Sequence, residues 1–102
     1  MTVYGYAKVK PNAPAGNLEA LVWFLRWHGC TTVITDVGYN TQIGHGWREL
    51  VQKLRPGDLV RVASLDQVGN STKVVGEAVD ALLSRRARLE AIKDSAPFAR
   101  AC

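Results

Sequence analysis

Hydrophobic positions along this chain alternate between short continuous runs and stripes at helical spacing, and the alternation predicts the elements. Val3, Tyr4, Tyr6, Ala7 and Val9 make an almost unbroken apolar run over residues 2–9. Such a run suits a strand covered on both faces, as in a parallel sheet. KPNAPAG ends it with two prolines and a glycine. Asn17 is then expected to cap a helix that reaches about His28 and stops at Gly29, with Leu18, Leu21, Val22 and Leu25 as its buried stripe. TTVIT (residues 31–35) is a β-branched second strand, followed by a glycine-rich polar loop over 36–46. A second helix is predicted over 47–54, with Trp47, Leu50, Val51 and Leu54 inward, and RPGD turns the chain into a third strand over 59–63. After the loop SLDQVGNST, Ser71 or Thr72 caps a third helix to Ser84, its inner face made by Val74, Val75, Ala78, Val79 and Leu82. A last strand is expected over 87–92.

Strands alternating with helices imply βαβ units with right-handed crossovers. The expected fold class is α/β, a three-layer, mainly parallel four-stranded sheet flanked by helices. It forms one domain over residues 1–95, with a tail over 96–102. In such sheets ligand chemistry gathers at the carboxyl ends of the strands, where Lys8, Lys10 and Asp66 would lie.

The first helix carries more than its core stripe requires. Trp23, Phe24 and Trp27 fall on turns that should be polar. One of these rings could fold over the first loop as core, but three together point to a partner surface, because aromatics are enriched at interface centres.

Composition changes this picture little. The 102 residues are 47% hydrophobic and 22% charged, ordinary values for a globular domain. The net charge of +4 permits contact with nucleic acid without requiring it. Arg85, Arg86 and Arg88 end the third helix where positive charge suits its dipole, and they read as a solvated helix end. Cys30 and Cys102 match no metal or redox spacing and are expected as free thiols. No signal-peptide pattern and no membrane-length apolar run occurs, so a cytoplasmic protein is expected. No triad, metal-ligand spacing or glycine-rich phosphate loop is present, and no cofactor or metal is implied.

Read in order, YGYAKV, LEALVWFLRWHGC, VITDVGYN, LRPGDLVRVASLDQVGNST and RLEAIKDS resemble the N-terminal catalytic domain of the serine recombinases, the resolvase and invertase family. The likeness runs over nearly all of residues 3–95. It implies the resolvase catalytic-domain fold and a setting in DNA recombination or mobile elements. The family cuts DNA with a serine just after the first strand, in a pattern like YARVS. Here that stretch is YAKVK, so Lys10 stands at the serine position and Lys8 at that of an arginine. A second family arginine falls near Gly44 or His45. In the loop LDQVGNS the aspartate is kept as Asp66, while Gln67 and Asn70 replace arginines. The family's long dimer helix and helix-turn-helix module would follow the last strand, and this sequence stops short of both.

Phosphoryl transfer by a hydroxyl needs that hydroxyl and fixed positive charge around the developing oxyanion. A lysine amine cannot form a phosphoserine, and a point charge does not reproduce an arginine fork. Ser64, Ser71 and Thr72 are better read as a strand end and helix caps than as substitute nucleophiles. The degenerate positions are therefore Lys8, Lys10, Asp66, Gln67 and Asn70, and a pseudoenzyme is expected. Two functions remain. One is action through protein contacts, as a homo-oligomer or on a recombinase or other mobile-element protein, by way of Trp23, Phe24 and Trp27. The other is weak, non-specific nucleic-acid binding in a residual crevice formed by Lys8, Lys10, Arg48 and Lys73. An altered enzyme using Asp66 and His45 is a distant third.

Overall fold

Tyr6 and Ala7 are neighbours in β1 (Val3–Val9), and each lies in a different one of the two cores. Successive side chains of a strand point to opposite faces of its sheet, so β1 must be covered on both sides. The structure, a computed structural model, describes residues 2–39 and 41–93. The tail expected over 96–102, with Cys102, lies outside the described residues.

After β1 come α1 (Asn17–Trp27), β2 (Thr32–Val37), α2 (His45–Lys53), β3 (Leu59–Val62), a 3₁₀ turn (Leu65–Gln67), α3 (Thr72–Ser84) and β4 (Arg88–Ala91). The four strands form one sheet in the order β2-β1-β3-β4, every pair parallel. Tyr6 registers with Ile34 on one side and Val62 on the other, and Lys8 registers with Asp36.

On the Tyr6 face, α2 and α3 bring Trp47, Leu50, Ala78 and Leu82 against Val60 and Val62. The Trp47 ring meets Tyr6 edge-on, with centroids 4.9 Å apart. On the Ala7 face, α1 lays Leu18, Leu21, Val22 and Leu25 over Val3, Val33 and Cys30. Over β3 that face carries Arg61, which pairs with Glu90 of β4 at 3.2 Å and also donates to the His28 carbonyl at the end of α1. Gly5 suits this close approach, because a Cβ would lie 3.0 Å from Cys30 Sγ and 3.2 Å from a Val33 methyl.

The predicted elements all form. β2 runs on to Val37, two residues past its expected end, so Asp36 belongs to the strand and not to the loop. Two helix starts move for physical reasons. Asn17 does not cap α1. Gly16 holds the cap position at φ 90°, a left-handed conformation that suits glycine, and Asn17 is the first helical residue. Helix α2 begins at His45, two residues before the expected start. It does so because Asp36 accepts from the Gly46 and Trp47 N–H groups at 2.8 and 3.2 Å, a cap supplied from another element. Ser71 caps α3 as expected, its hydroxyl accepting from the Val74 N–H at 3.3 Å. No described helix is long and apolar enough to cross a membrane.

Candidate functional site

The carboxyl ends of β1, β2 and β3 carry two adjoining arrangements. The first is a clamp. Tyr6 OH donates to Asp36 Oδ2 at 2.5 Å, and the same carboxylate holds the start of α2. A Cβ at Gly44 would sit 2.1 Å from Asp36 Oδ2, and one at Gly46 2.9 Å from Oδ1, so both glycines make room for this carboxylate. Burial, reinforced by Asp36, holds the Tyr6 phenol well above its ordinary pKa. Lys8, only 5% exposed, donates to the carbonyls of Tyr39 (2.9 Å) and Gln42 (3.0 Å). Burial lowers its pKa, and the nearby Asp36 charge opposes that shift. Sequence reasoning missed Asp36; the signal was the pair of glycines flanking His45.

The second arrangement is a cleft of about 710 Å³ between the loop after β1, the N-terminal half of α1 and the 3₁₀ turn. Lys8, Lys10, Asp66 and Gln67 all line it, so four of the five degenerate positions come together. Asn70 does not join them. It lines a separate groove with Arg48 and Lys73, along the segment 41–43. The four cations expected in one crevice are thus divided, and Lys8 spends its ammonium on loop carbonyls. Lys93, which no sequence pattern singled out, takes a place in the cleft instead.

The hydroxyls near the cleft have structural partners. Ser64 donates to Asp66 Oδ1, and Ser71 caps α3. His45 pairs with Glu49 at 2.9 Å and lines a different depression from Asp66. Gln67 Oε1 is buried without a hydrogen-bond partner. Among the described residues no cluster of three His, Cys, Asp or Glu side chains is placed to hold a metal.

The three aromatics of α1 separate. Phe24 turns toward the sheet side, lines the cleft, and has the His28 ring 4.5 Å away and Lys93 Nζ 5.6 Å from its centroid. Trp23 and Trp27 remain 67% and 73% exposed and stack on each other, centroids 5.5 Å apart and planes 14° from parallel.

This architecture is that of serine recombinase catalytic domains. The C-terminal catalytic domain of ISC1926 TnpA, an IS607-like serine recombinase, superposes with a TM-score of 0.77 at 15% identity, over 99% of this chain and 76% of that one. A serine recombinase from Sulfolobus solfataricus gives 0.73 at 20% identity, over 89% and 67%. The first open reading frame of transposon ISC1904 from Sulfolobus solfataricus P2 gives 0.72 at 18%, over 90% and 67%. No protein-family model matches the sequence, and no curated protein does. The likeness therefore lives in the fold.

Proposed function

We propose that this domain is a catalytically inactive relative of the serine recombinases that acts through protein contacts, pairing with a second copy of itself through α1. The observation that carries the reading is the exposed, stacked pair Trp23 and Trp27. Glu19 and Arg26, both exposed, share its face at helical spacing. In a two-fold antiparallel pairing, Glu19 of one copy meets Arg26 of the other, with Trp23 between these pairs and Trp27 just beyond Arg26. Inactivity is supported by Lys10 at the end of β1 and by the engagement of Ser64 and Ser71 elsewhere. The fold favours a setting in mobile-element control.

Light scattering after size exclusion tests the pairing. The wild-type chain should run above its 11.2 kDa monomer mass. The variant Trp23→Glu, Trp27→Glu should run as a monomer with unchanged circular dichroism. A wild type that stays monomeric at every loading concentration up to its solubility limit, or a variant that associates as well as wild type, overturns the reading. Inactivity is checked by incubating the protein with supercoiled plasmid, where a covalent protein–DNA product would contradict it.

A second reading, weak contact with nucleic acid without sequence preference, is favoured by the cleft lysines Lys10 and Lys93, both exposed. Binding to a labelled single strand should fall steeply with salt, and Lys10→Ala should weaken it. Unchanged affinity in that variant removes the cleft from the interaction.

A further inference from the structure

We infer that a second copy of this chain also joins along β2, strand to strand and antiparallel, so that two four-stranded sheets run on as one across a two-fold axis. The inference deepens the pairing through α1 and rests on it. The two edges of the sheet are built differently. β4 carries Arg88 and Glu90 in its four residues, charges of the kind that keep an edge from pairing. β2 reads TVITDV, every residue but Asp36 β-branched, with no lysine, proline or glycine to blunt it. Its one charge is turned inward, because the Asp36 carboxylate accepts from Tyr6 OH and from the first N–H groups of α2. The Thr31 N–H donates to the Val3 carbonyl, so odd positions of β2 bond to β1 while the N–H and C=O groups of Ile34 and Asp36 face the open edge.

A second copy fits this edge because the edge is complementary to itself. Val33, Thr35 and Val37 share one face of β2 and read the same in both directions. Antiparallel pairing about Thr35 sets the two Thr35 side chains opposite each other and each Val33 opposite Val37 of the other copy, β-branched pairs that stabilise a sheet. Thr35 is exposed and Val37 is 62% exposed, so both stand clear of the core. In this register Ile34 of each copy exchanges both backbone hydrogen bonds with Asp36 of the other. The same axis serves α1. Phe24 lines the cleft on the β3 side of that helix, and Glu19 and Arg26 lie roughly 140–160° around it, on the flank that looks out past β2. A two-fold axis perpendicular to the sheet therefore lays α1 of both copies side by side and antiparallel, with Glu19 toward Arg26. Because α1 packs over both β1 and β2, its axis and that of its mate fall roughly 10 Å apart, the distance of packed helices. Neither surface is large alone, and sharing one axis makes a single interface of them.

Disulfide trapping on the full chain tests the register. A directly opposed, non-hydrogen-bonded antiparallel pair has its Cα atoms about 4.5 Å apart, within reach of a disulfide. In a Cys102→Ser background, Thr35→Cys should therefore cross-link into a covalent dimer under mild oxidation. Val37→Cys should not, because its counterpart lies about 13 Å away along the strands. Thr35→Lys places like charges on the axis and should weaken association about tenfold in sedimentation, with unchanged circular dichroism. Association that Thr35→Lys leaves intact, with no trapping at Thr35, overturns the inference and leaves the α1 pairing standing. Equal trapping at positions 35 and 37 reports random collision and overturns it too. Selective trapping at Thr35 in a protein whose association ignores Trp23→Glu, Trp27→Glu supports the strand pairing and overturns the α1 reading instead.

Discussion

A carboxylate that accepts from a phenol and two backbone N–H groups ties together three parts of a chain, and Asp36 does this at the end of β2. Gly44→Ala forces a methyl group into that carboxylate, 2.1 Å from Oδ2. Loss of the cap should cost about 1–3 kcal/mol in urea denaturation. Asp58 works similarly at the opposite end of the sheet, accepting from the Thr2 and Arg55 N–H groups at 3.0 and 2.9 Å. Those two bonds hold its pKa below the ordinary aspartate value. A depressed folded pKa contributes stability that is present above the unfolded value, about 3.9, and is lost as pH falls through the folded one. Wild type should therefore lose stability below about pH 4, and Asp58→Asn should lose less over that window while being weaker at pH 7. Lys10 and Asp66 were legible because they sit in contiguous motifs. Asp36 was not, because its partners lie ten residues on and its clearest trace is the absence of a Cβ at 44 and 46.

Helices and strands were readable because period and burial agree. The Leu18, Leu21, Val22 and Leu25 stripe packs on the sheet, and the apolar run in β1 is covered on both faces. What periodicity could not assign was the surplus. Phe24, Trp23 and Trp27 look alike in sequence, yet Phe24 lies on the flank nearer Leu21 while the tryptophans face solvent. Boundaries also escaped where a cap comes from a distant side chain, as at the start of α2. Helix α3 offers a clean test of element stability. Gly76 lies mid-helix, and a Cβ there would meet nothing within 4 Å. Gly76→Ala should stabilise the domain by roughly 0.5–1 kcal/mol, seen as a higher midpoint with an unchanged denaturant slope. The loop before α2 offers the converse. Lys8 pins its carbonyls at Tyr39 and Gln42, so Lys8→Ala should speed hydrogen exchange there and leave β1 protected.

At the scale of the whole molecule, one small domain exposes two stacked tryptophans on a helix of 11 residues. Such a helix is only about 16 Å long, so a contact confined to it buries less than the roughly 800 Å² per partner of a standard interface. The expected dimer is accordingly weak and dissociates on dilution. Loss of association in Trp23→Glu, Trp27→Glu shows that the rings are needed, and the charges beside them show whether α1 meets its own antiparallel copy. In the antiparallel pairing Arg26 faces Glu19 of the other copy. Arg26→Glu sets like charges opposite each other and should weaken self-association by several-fold, more so at low salt. Adding Glu19→Arg exchanges the two signs and restores both cross-pairs, so the doubly substituted chain should associate about as well as wild type. A foreign partner has no reason to tolerate that exchange. Sedimentation of the three proteins at two salt concentrations reads the result directly: recovery in the double variant means the face of α1 is complementary to itself, and continued weakness means it is not.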